Sequence, residues 1–303
     1  MNTNTENFDV IILGGSFAGL SAAMALGRSL RHVLIIDSGL PCNRQTPHSH
    51  NFLTQDGATP SQISQKARTQ VLKYDTVTFI EDLAIKGSAA DDGFYILTAS
   101  NKEFHASNLI FATGIKDIMP NIKGFPACWG ISVVHCPYCH GYEIKNKKTG
   151  IIADVETVVH MAPLVKNLTH DLSVLTSKKS EFNEEQISKL SKNRIRIIDK
   201  EITEIEHRNG YIKNVIFSDS TTESFEALYA PLPFQQQSDI PELLGCELTE
   251  QGYIQVDMTY KTTVKGVFAC GDNSSRIRSV ANAVASGNMV GAIVNMELSN
   301  ERF

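Results

Sequence analysis

The stretch from Asp9 to Asp37 leaves this chain few folds to choose from. DVIIL at 9–13 is an unbroken apolar run with a turn directly behind it, the pattern of a strand buried on both faces of a parallel sheet. GGSFAGL follows at once. From Phe17 to Leu30 the small and apolar residues Ala18, Ala22, Ala25 and Leu26 recur at helical spacing, and HVLIID at 32–37 is a second buried strand. Strand, glycine-rich turn, helix and a strand ending in an acidic residue make a dinucleotide-binding unit. Gly14 allows the tight turn and Gly19 lets helix and strand pack closely. The pyrophosphate then rests on helix N–H groups while Asp37 accepts from ribose hydroxyls. The middle glycine of the GxGxxG pattern is Ser16 here, a small hydroxyl where bare backbone is usual.

The pattern returns once. Residues 150–176 lie on residues 11–37 without a gap, at a constant offset of 139 (150 − 11), with GIIA on IILG and LSVLT on VLIID. The phosphate chemistry does not return with it. Gly14, Gly15, Ser16 and Gly19 fall on Ala153, Asp154, Val155 and Val158, and Asp37 falls on Thr176. Side chains replace the bare backbone, and Asp154 and Glu156 stand where a phosphate would approach. A carboxylate about 4 Å from one phosphate charge costs on the order of 4 kcal/mol at an effective dielectric near 20, roughly a thousandfold in affinity. Lys178 and Lys179, beyond the following strand, offer charge for a 2′-phosphate but restore none of the backbone. One competent nucleotide site is expected, with the second unit reduced to a scaffold.

Just before this second copy, CPYCHG at 136–141 places two thiols two residues apart. Thiol exchange needs a thiolate, and a Cys pKa of about 8.5 falls toward roughly 3.5 to 7.5 at a helix N-terminus or beside a cationic His. Pro137 suits the first turn of a helix, and His140 is placed to take and return a proton. Competing readings are weaker. Cys136, Cys139, His140 and His135 are too close in sequence to close a zinc tetrahedron, and no second CxxC follows, so no metal is expected. Attachment of a c-type haem requires export, and the first thirty residues show no charged, apolar and cleavage-site regions in succession. The bland alternative is two incidental cysteines.

At 303 residues the length prior is about two domains. A net charge of −5 gives no electrostatic footprint for nucleic acid or an anionic membrane. No apolar run reaches the roughly 18 residues a bilayer span needs, so no membrane segment is expected. Six cysteines are too few for a disulfide scaffold and fit a reducing, cytoplasmic setting; Cys42, Cys128, Cys246 and Cys270 read as ordinary core or surface residues. PCNRQTPHSHNFLTQDG at 41–57 reads as a long loop in which His48 and His50 are merely solvated. A helix starts at Thr59 and Pro60, β-rich segments run from 76 to ATG at 112–114, and MPNIKGF looks like a linker. After the second copy come a polar helix near 182–193, the strand RIRII and a hairpin about Asn209–Gly210. KGVFACGD and an apolar helix over 278–298, read as core packing, end the chain.

GGSFAGL with Asp37, ATG at 112–114, CPYCHG, and GVFACGD followed by RSVANAVASG resemble the low-molecular-weight thioredoxin reductases in order and spacing. HCPYCHGYE and HSHNFLTQDG are most similar to the branch that includes gliotoxin-type dithiol oxidases and related bacterial enzymes. The resemblance implies an α/β fold of two Rossmann-like (three-layer ββα) dinucleotide-binding domains, the second inserted in the first. An FAD-binding domain would comprise residues 1–120 and 234–303, and a pyridine-nucleotide-like domain carrying the CxxC residues 121–233. By position, Gly14, Gly15, Ser16, Ala18, Gly19, Asp37 and Ser38 would hold the ADP half of FAD and Asp272 its ribityl or pyrophosphate region. Ser279 and Val280 would open the helix that faces the flavin. Cys139 would meet the flavin, and Cys136 would attack the partner disulfide. His140 would stand where the reductases carry an acid/base Asp, titrating near neutral pH.

Members of that family that use NADPH carry a second GxGxxA with basic residues after the next strand; ADVETV and LTSKKS here argue against NADPH. The expectation is therefore an FAD-dependent thiol:disulfide oxidoreductase, a homodimer, acting on a thioredoxin-like protein or a small dithiol or disulfide. A ferredoxin-like donor, oxygen, or NADPH bound weakly in a remodelled cleft are the open routes for its other electrons. The rival from a different class is a non-catalytic flavin-binding sensor whose contacts follow the redox state of the cysteine pair.

Overall fold

The computed structural model describes residues 6–176 and 181–303; Lys178 and Lys179 lie outside the described residues. The chain forms two compact units, one from its start to Arg44, Phe52–Lys116 and Phe234–Phe303, the other from Gln45–Asn51 and Asp117–Pro233.

In chain order, the first unit opens with β1 (Glu6–Leu13), α1 (Phe17–Arg28) and β2 (Val33–Asp37). After the long loop, α2 (Pro60–Val71) starts on a capping box: Gln62 N–H donates to Thr59 Oγ1 and Thr59 N–H to Gln62 Oε1. β3 (Val77–Glu81), β4 (Ala84–Ala90), β5 (Gly93–Thr98), β6 (Glu103–Phe111) and β7 (Ile115–Asp117) follow. The second unit holds α3 (Phe125–Cys128), β8 (Val133–Val134), α4 (Pro137–His140), β9 (Thr149–Ile152), α5 (Val155–Lys166), β10 (Leu172–Leu175), α6 (Glu184–Lys192) and β11 (Arg196–Ile198). Its antiparallel part is β12 (Ile202–Arg208), β13 (Tyr211–Phe217) and β14 (Thr222–Ser224), after which β15 (Ala227–Tyr229) returns to the main sheet. The chain closes with β16 (Phe234–Gln236), paired with β7, then α7 (Ile240–Leu243), β17 (Val267–Ala269) and α8 (Val280–Arg302).

Each unit is an α/β layer structure on a Rossmann-type parallel sheet. In the first, β3, β2, β1, β6 and β17 run parallel, and β5 and β4 extend β6 as an antiparallel meander. In the second, β11, β10, β9, β15 and β8 form a wholly parallel sheet, with β12–β14 as the separate meander. Central parallel strands are covered on both faces and must be apolar throughout. Val10, Ile11 and Ile12 are completely buried, as are Ile151 and Val174. Among the described residues no helix is long and apolar enough to cross a membrane.

The apolar helix at the end of the chain packs more tightly than its sequence suggests. Along α8, Ala283, Gly287, Val290, Gly291 and Val294 are buried. A Cβ on Gly287 would stand 2.1 Å from the Ala18 carbonyl oxygen, and one on Gly291 would stand 2.6 Å from that of Ala22. α8 thus lies directly on the backbone of α1. Gly287→Ala is expected to lower unfolding stability by about 2 kcal/mol, because backbone must yield to the added methyl; urea unfolding of the two proteins checks it.

A candidate nucleotide cradle and dithiol site

In the first unit the carboxyl ends of β1, β6 and β17 are stitched together. Ala112 N–H donates to Leu13 O at 2.8 Å and Cys270 N–H to Phe111 O at 3.0 Å. The glycine turn lies on this edge. Gly14 has φ +103°, and a Cβ there would meet the Ala112 carbonyl oxygen at 2.3 Å, while a Cβ on Gly19 would come within 1.8 Å of Gly14 O. Ser16 takes the N-cap position of α1 in extended conformation, and its hydroxyl caps nothing. The leading N–H groups of α1 are therefore left without the side-chain acceptor that usually closes a helix start. Asp37 ties the turn to the end of β2: Oδ1 accepts from Gly15 N–H at 2.8 Å and Oδ2 from Gly39 N–H at 3.1 Å, with Ser38 exposed between.

Ala18 is buried within α1 and its methyl stands against Gly271, so only its backbone remains to meet a phosphate. Asp272 lies after β17 with Arg278 Nε 3.8 Å from Oδ2. Ser279 caps α8, its hydroxyl accepting from Asn282 N–H at 3.1 Å, and Val280 begins that helix. A polar pair absent from the sequence reading joins this edge. Asn273 Nδ2 donates to Phe111 O and Thr113 Oγ1, Gln236 Nε2 donates to Asn273 O, and Asn273 Oδ1 and Gln236 Oε1 are buried with no partner. The sequence signal was an Asn directly after Gly271–Asp272 in an apolar stretch. A turn stripped of side chains, open helix N–H groups and an anchored carboxylate fit the ADP half of a flavin dinucleotide.

The corresponding turn of the second unit is already closed. Asp154 is the N-cap of α5, its Oδ1 accepting from Thr157 N–H at 2.8 Å, and Glu156 sits in the first turn. Val158, where the first unit has Gly19, is completely buried. Thr176, where the first unit has Asp37, donates its hydroxyl to Asp199 at 2.6 Å.

The cysteine pair sits past the carboxyl end of β8. Cys136 is extended (φ −124°, ψ 117°) and caps α4, its Sγ accepting from Cys139 N–H at 3.2 Å. Gly141 ends the turn, since a Cβ there would meet Pro137 O at 2.3 Å. His140 differs from the expectation of a near-neutral titrating group: burial first, and then the charge of His50, push its pKa down from 6.5 to about 4. Its ring meets that of His135 edge-on at 6.4 Å, and His135 in turn lies 6.0 Å from the Trp129 ring. His50, expected to be a solvated loop residue, belongs to this site. The Gln45–Asn51 segment groups with the second unit, and His50 Nδ1 lies 3.5 Å from Glu143 Oε1. His48 lies 6.4 Å from His50, ring to ring. Contacts across some ninety residues of sequence leave no local signal. Elsewhere, burial raises the pKa of Cys128 to about 11 and of Cys270 to about 12, which keeps both as inert thiols. Among the described residues no group of three or more His, Cys, Asp or Glu is arranged to hold a metal.

A family model described as pyridine nucleotide-disulphide oxidoreductase matches residues 8–287. The chain is similar to thioredoxin reductase sirT of Leptosphaeria maculans, 31% identical over 315 residues that cover 98% of this chain and 96% of the relative. It is also similar to thioredoxin reductase tcpT of Claviceps purpurea, 29% identical over 307 residues covering 97% and 96%. A crystal structure of an oxidoreductase from Agrobacterium tumefaciens superposes with TM-score 0.91 at 35% identity, covering 97% of this chain and 99% of that one.

The His140 shift carries a sign that urea unfolding tests. Above pH 6.5 the imidazole is neutral in both folded and unfolded chains. Between 6.5 and about 4 only the unfolded chain takes up the proton, so stability falls as pH falls through that window. The loss attributable to His140 is on the order of 3 kcal/mol, and His140→Gln should remove that part of the slope.

Proposed function

The chain belongs to the pyridine nucleotide-disulphide oxidoreductase family, among its thioredoxin reductase-like members, and we propose that it is an FAD-dependent thiol:disulfide oxidoreductase working through Cys136 and Cys139 without NADPH at the usual site. Membership of this family implies a flavin. The observation that carries the proposal is the contrast between two equivalent turns. The Ser16 turn leaves helix N–H groups open to a phosphate, whereas the Asp154 turn spends its own carboxylate on them.

The residues proposed to hold the cofactor are Gly14, Gly15, Ser16, Ala18, Gly19, Asp37 and Ser38 for the ADP half, Asp272 for the ribityl or pyrophosphate region, and Ser279 and Val280, at the start of α8, for the flavin end. Bound there, FAD supplies two-electron exchange with the cysteine pair. The chain's own chemistry lies at the disulfide. A thiolate of an incoming dithiol attacks Cys136 Sγ in the oxidised pair, forming a mixed disulfide and releasing Cys139 as the leaving thiolate. The second substrate thiol, deprotonated, attacks the substrate sulfur of the mixed disulfide and releases Cys136. The substrate leaves as a disulfide, and the pair has gained two electrons. Run backwards, the same steps reduce a thioredoxin-like partner. His140 enters neutral, as an acceptor for the proton these thiols lose, and the thiolate it leaves behind stabilises the imidazolium.

Closure of the second turn favours a small dithiol or a reduced protein as the electron source over NADPH. In anaerobic stopped-flow spectra a dithiol should bleach the flavin absorbance of the wild type but not of Cys139→Ser, and micromolar NADPH should leave it unchanged. Bleaching by NADPH within milliseconds would restore an NADPH-driven reductase as the better reading.

A further inference from the structure

We propose that the hydroxyl of Tyr229 is a hydrogen-bond donor to Cys136 whenever that sulfur carries charge, making it a further residue of the exchange site; this rests on reading Cys136 and Cys139 as an exchanging pair. Tyr229 is the last residue of β15 and is only 1% exposed, yet its hydroxyl is buried with no hydrogen-bond partner. Leaving such a group unpaired is costly, and a buried orphan donor asks for an acceptor that appears in another state of the molecule.

Its position names the acceptor. Tyr229 is registered on Val134, the last residue of β8, and Ala230 N–H donates to Val134 O at 2.8 Å. Residues in register across this parallel ladder share a face, and because successive side chains alternate, a position two further along the partner strand returns to that same face. Cys136 is two residues beyond Val134 and its own backbone is still extended. The tyrosine ring belongs to the apolar cluster that includes Val134 and Ile144, so residues on both sides of the CPYCHGYE turn are packed in the same core as the ring. Burial, and then the charges of Cys136 and Glu143, raise the proton affinity of the phenol, so it stays protonated and can only donate. Cys136 Sγ accepts a hydrogen bond from the Cys139 N–H, and a sulfur that gains charge becomes a stronger acceptor for further donors. When the mixed disulfide is resolved and the substrate sulfur leaves Cys136, the electron pair of that bond stays on Cys136 Sγ and the proton stays on Tyr229. No proton is transferred between them.

Tyr229→Phe removes one oxygen and keeps the ring, so the core is unchanged. In a Cys139→Ser background, alkylation of Cys136 by iodoacetamide, followed against pH by peptide mass spectrometry, reads the thiolate directly. Cys139 bonds Cys136 through its N–H, Glu143 acts with Cys136 on Tyr229 and pairs with His50, and His135 and His140 lie on the same turn, so the comparison is made at constant sequence apart from Tyr229. The expected result is a midpoint raised by about one pH unit, a roughly tenfold slower reaction below it, with unfolding stability equal to the parent or higher. An unchanged midpoint overturns the proposal. So does a loss of stability, which would give the hydroxyl a structural partner, and so does a shift that vanishes in a Glu143→Gln background, which would make Glu143 the acceptor. Failure of the wild type to turn over any dithiol would overturn the exchange reading instead, and the alkylation midpoint would still score Tyr229.

Discussion

Backbone packed directly on backbone is the constraint from which the first unit follows. At Gly14, Gly19 and Gly287 the space for a side chain is filled by carbonyl oxygens of Ala112, Gly14 and Ala18. Such contacts draw β1, β6, α1 and α8 together with nothing but main chain between them. What remains at the carboxyl edge is a shallow surface of peptide groups at the start of α1, with N–H dipoles turned outward. A helix start of this kind binds an anion through fixed donors that need no rearrangement. Asp37, held by two backbone N–H groups, and the Asn273–Gln236 pair then give that surface its polar edges.

The second unit repeats the path of the chain and reverses its electrostatics. The same order of the first three strands and the same helix recur, but Asp154 supplies from within what the first unit leaves for a ligand. A self-capped helix start is more stable alone, by about 1 kcal/mol for a good cap, and it gives up the anion site in return. The unit then presents its chemistry at a different strand. Beyond β8 and β15, two strand positions over, the cysteine turn, the neutral His140 and the buried phenol of Tyr229 gather at one edge. On the proposed reading, the edge used by bound nucleotides in such sheets carries the exchanging cysteines here.

How far this was legible in the sequence depended on how local each signal was. The Gly14–Gly19 turn, Asp37, the Asp154 substitution and the CPYCHG spacing are each written within a few residues. The fold class followed from two apolar strands around each turn. The environment of the cysteines was not legible, because it is assembled from the 45–51 loop, β8 and β15, which are far apart in sequence. His50 read as solvated for want of any sign of Glu143 beside it. His140 read as a neutral-pH titrating group because burial cannot be seen from CxxCH alone. Nothing local in the apolar run LYAPLPF at 228–234 sets the hydroxyl of Tyr229 apart from that of any other aromatic residue.

The first unit is split by more than a hundred residues, since β6 ends at Phe111 and its neighbour β17 begins only at Val267. The partner of α1 comes later still, in a helix that starts at Val280. The face of α1 that α8 covers is therefore synthesised long before α8, although α2 and β2, close by in sequence, pack on the rest of that helix. Closing such long-range pairs is slow and entropically costly. Topology thus imposes an order on this chain, because the first unit is completed only when β17 and α8 have been added to it.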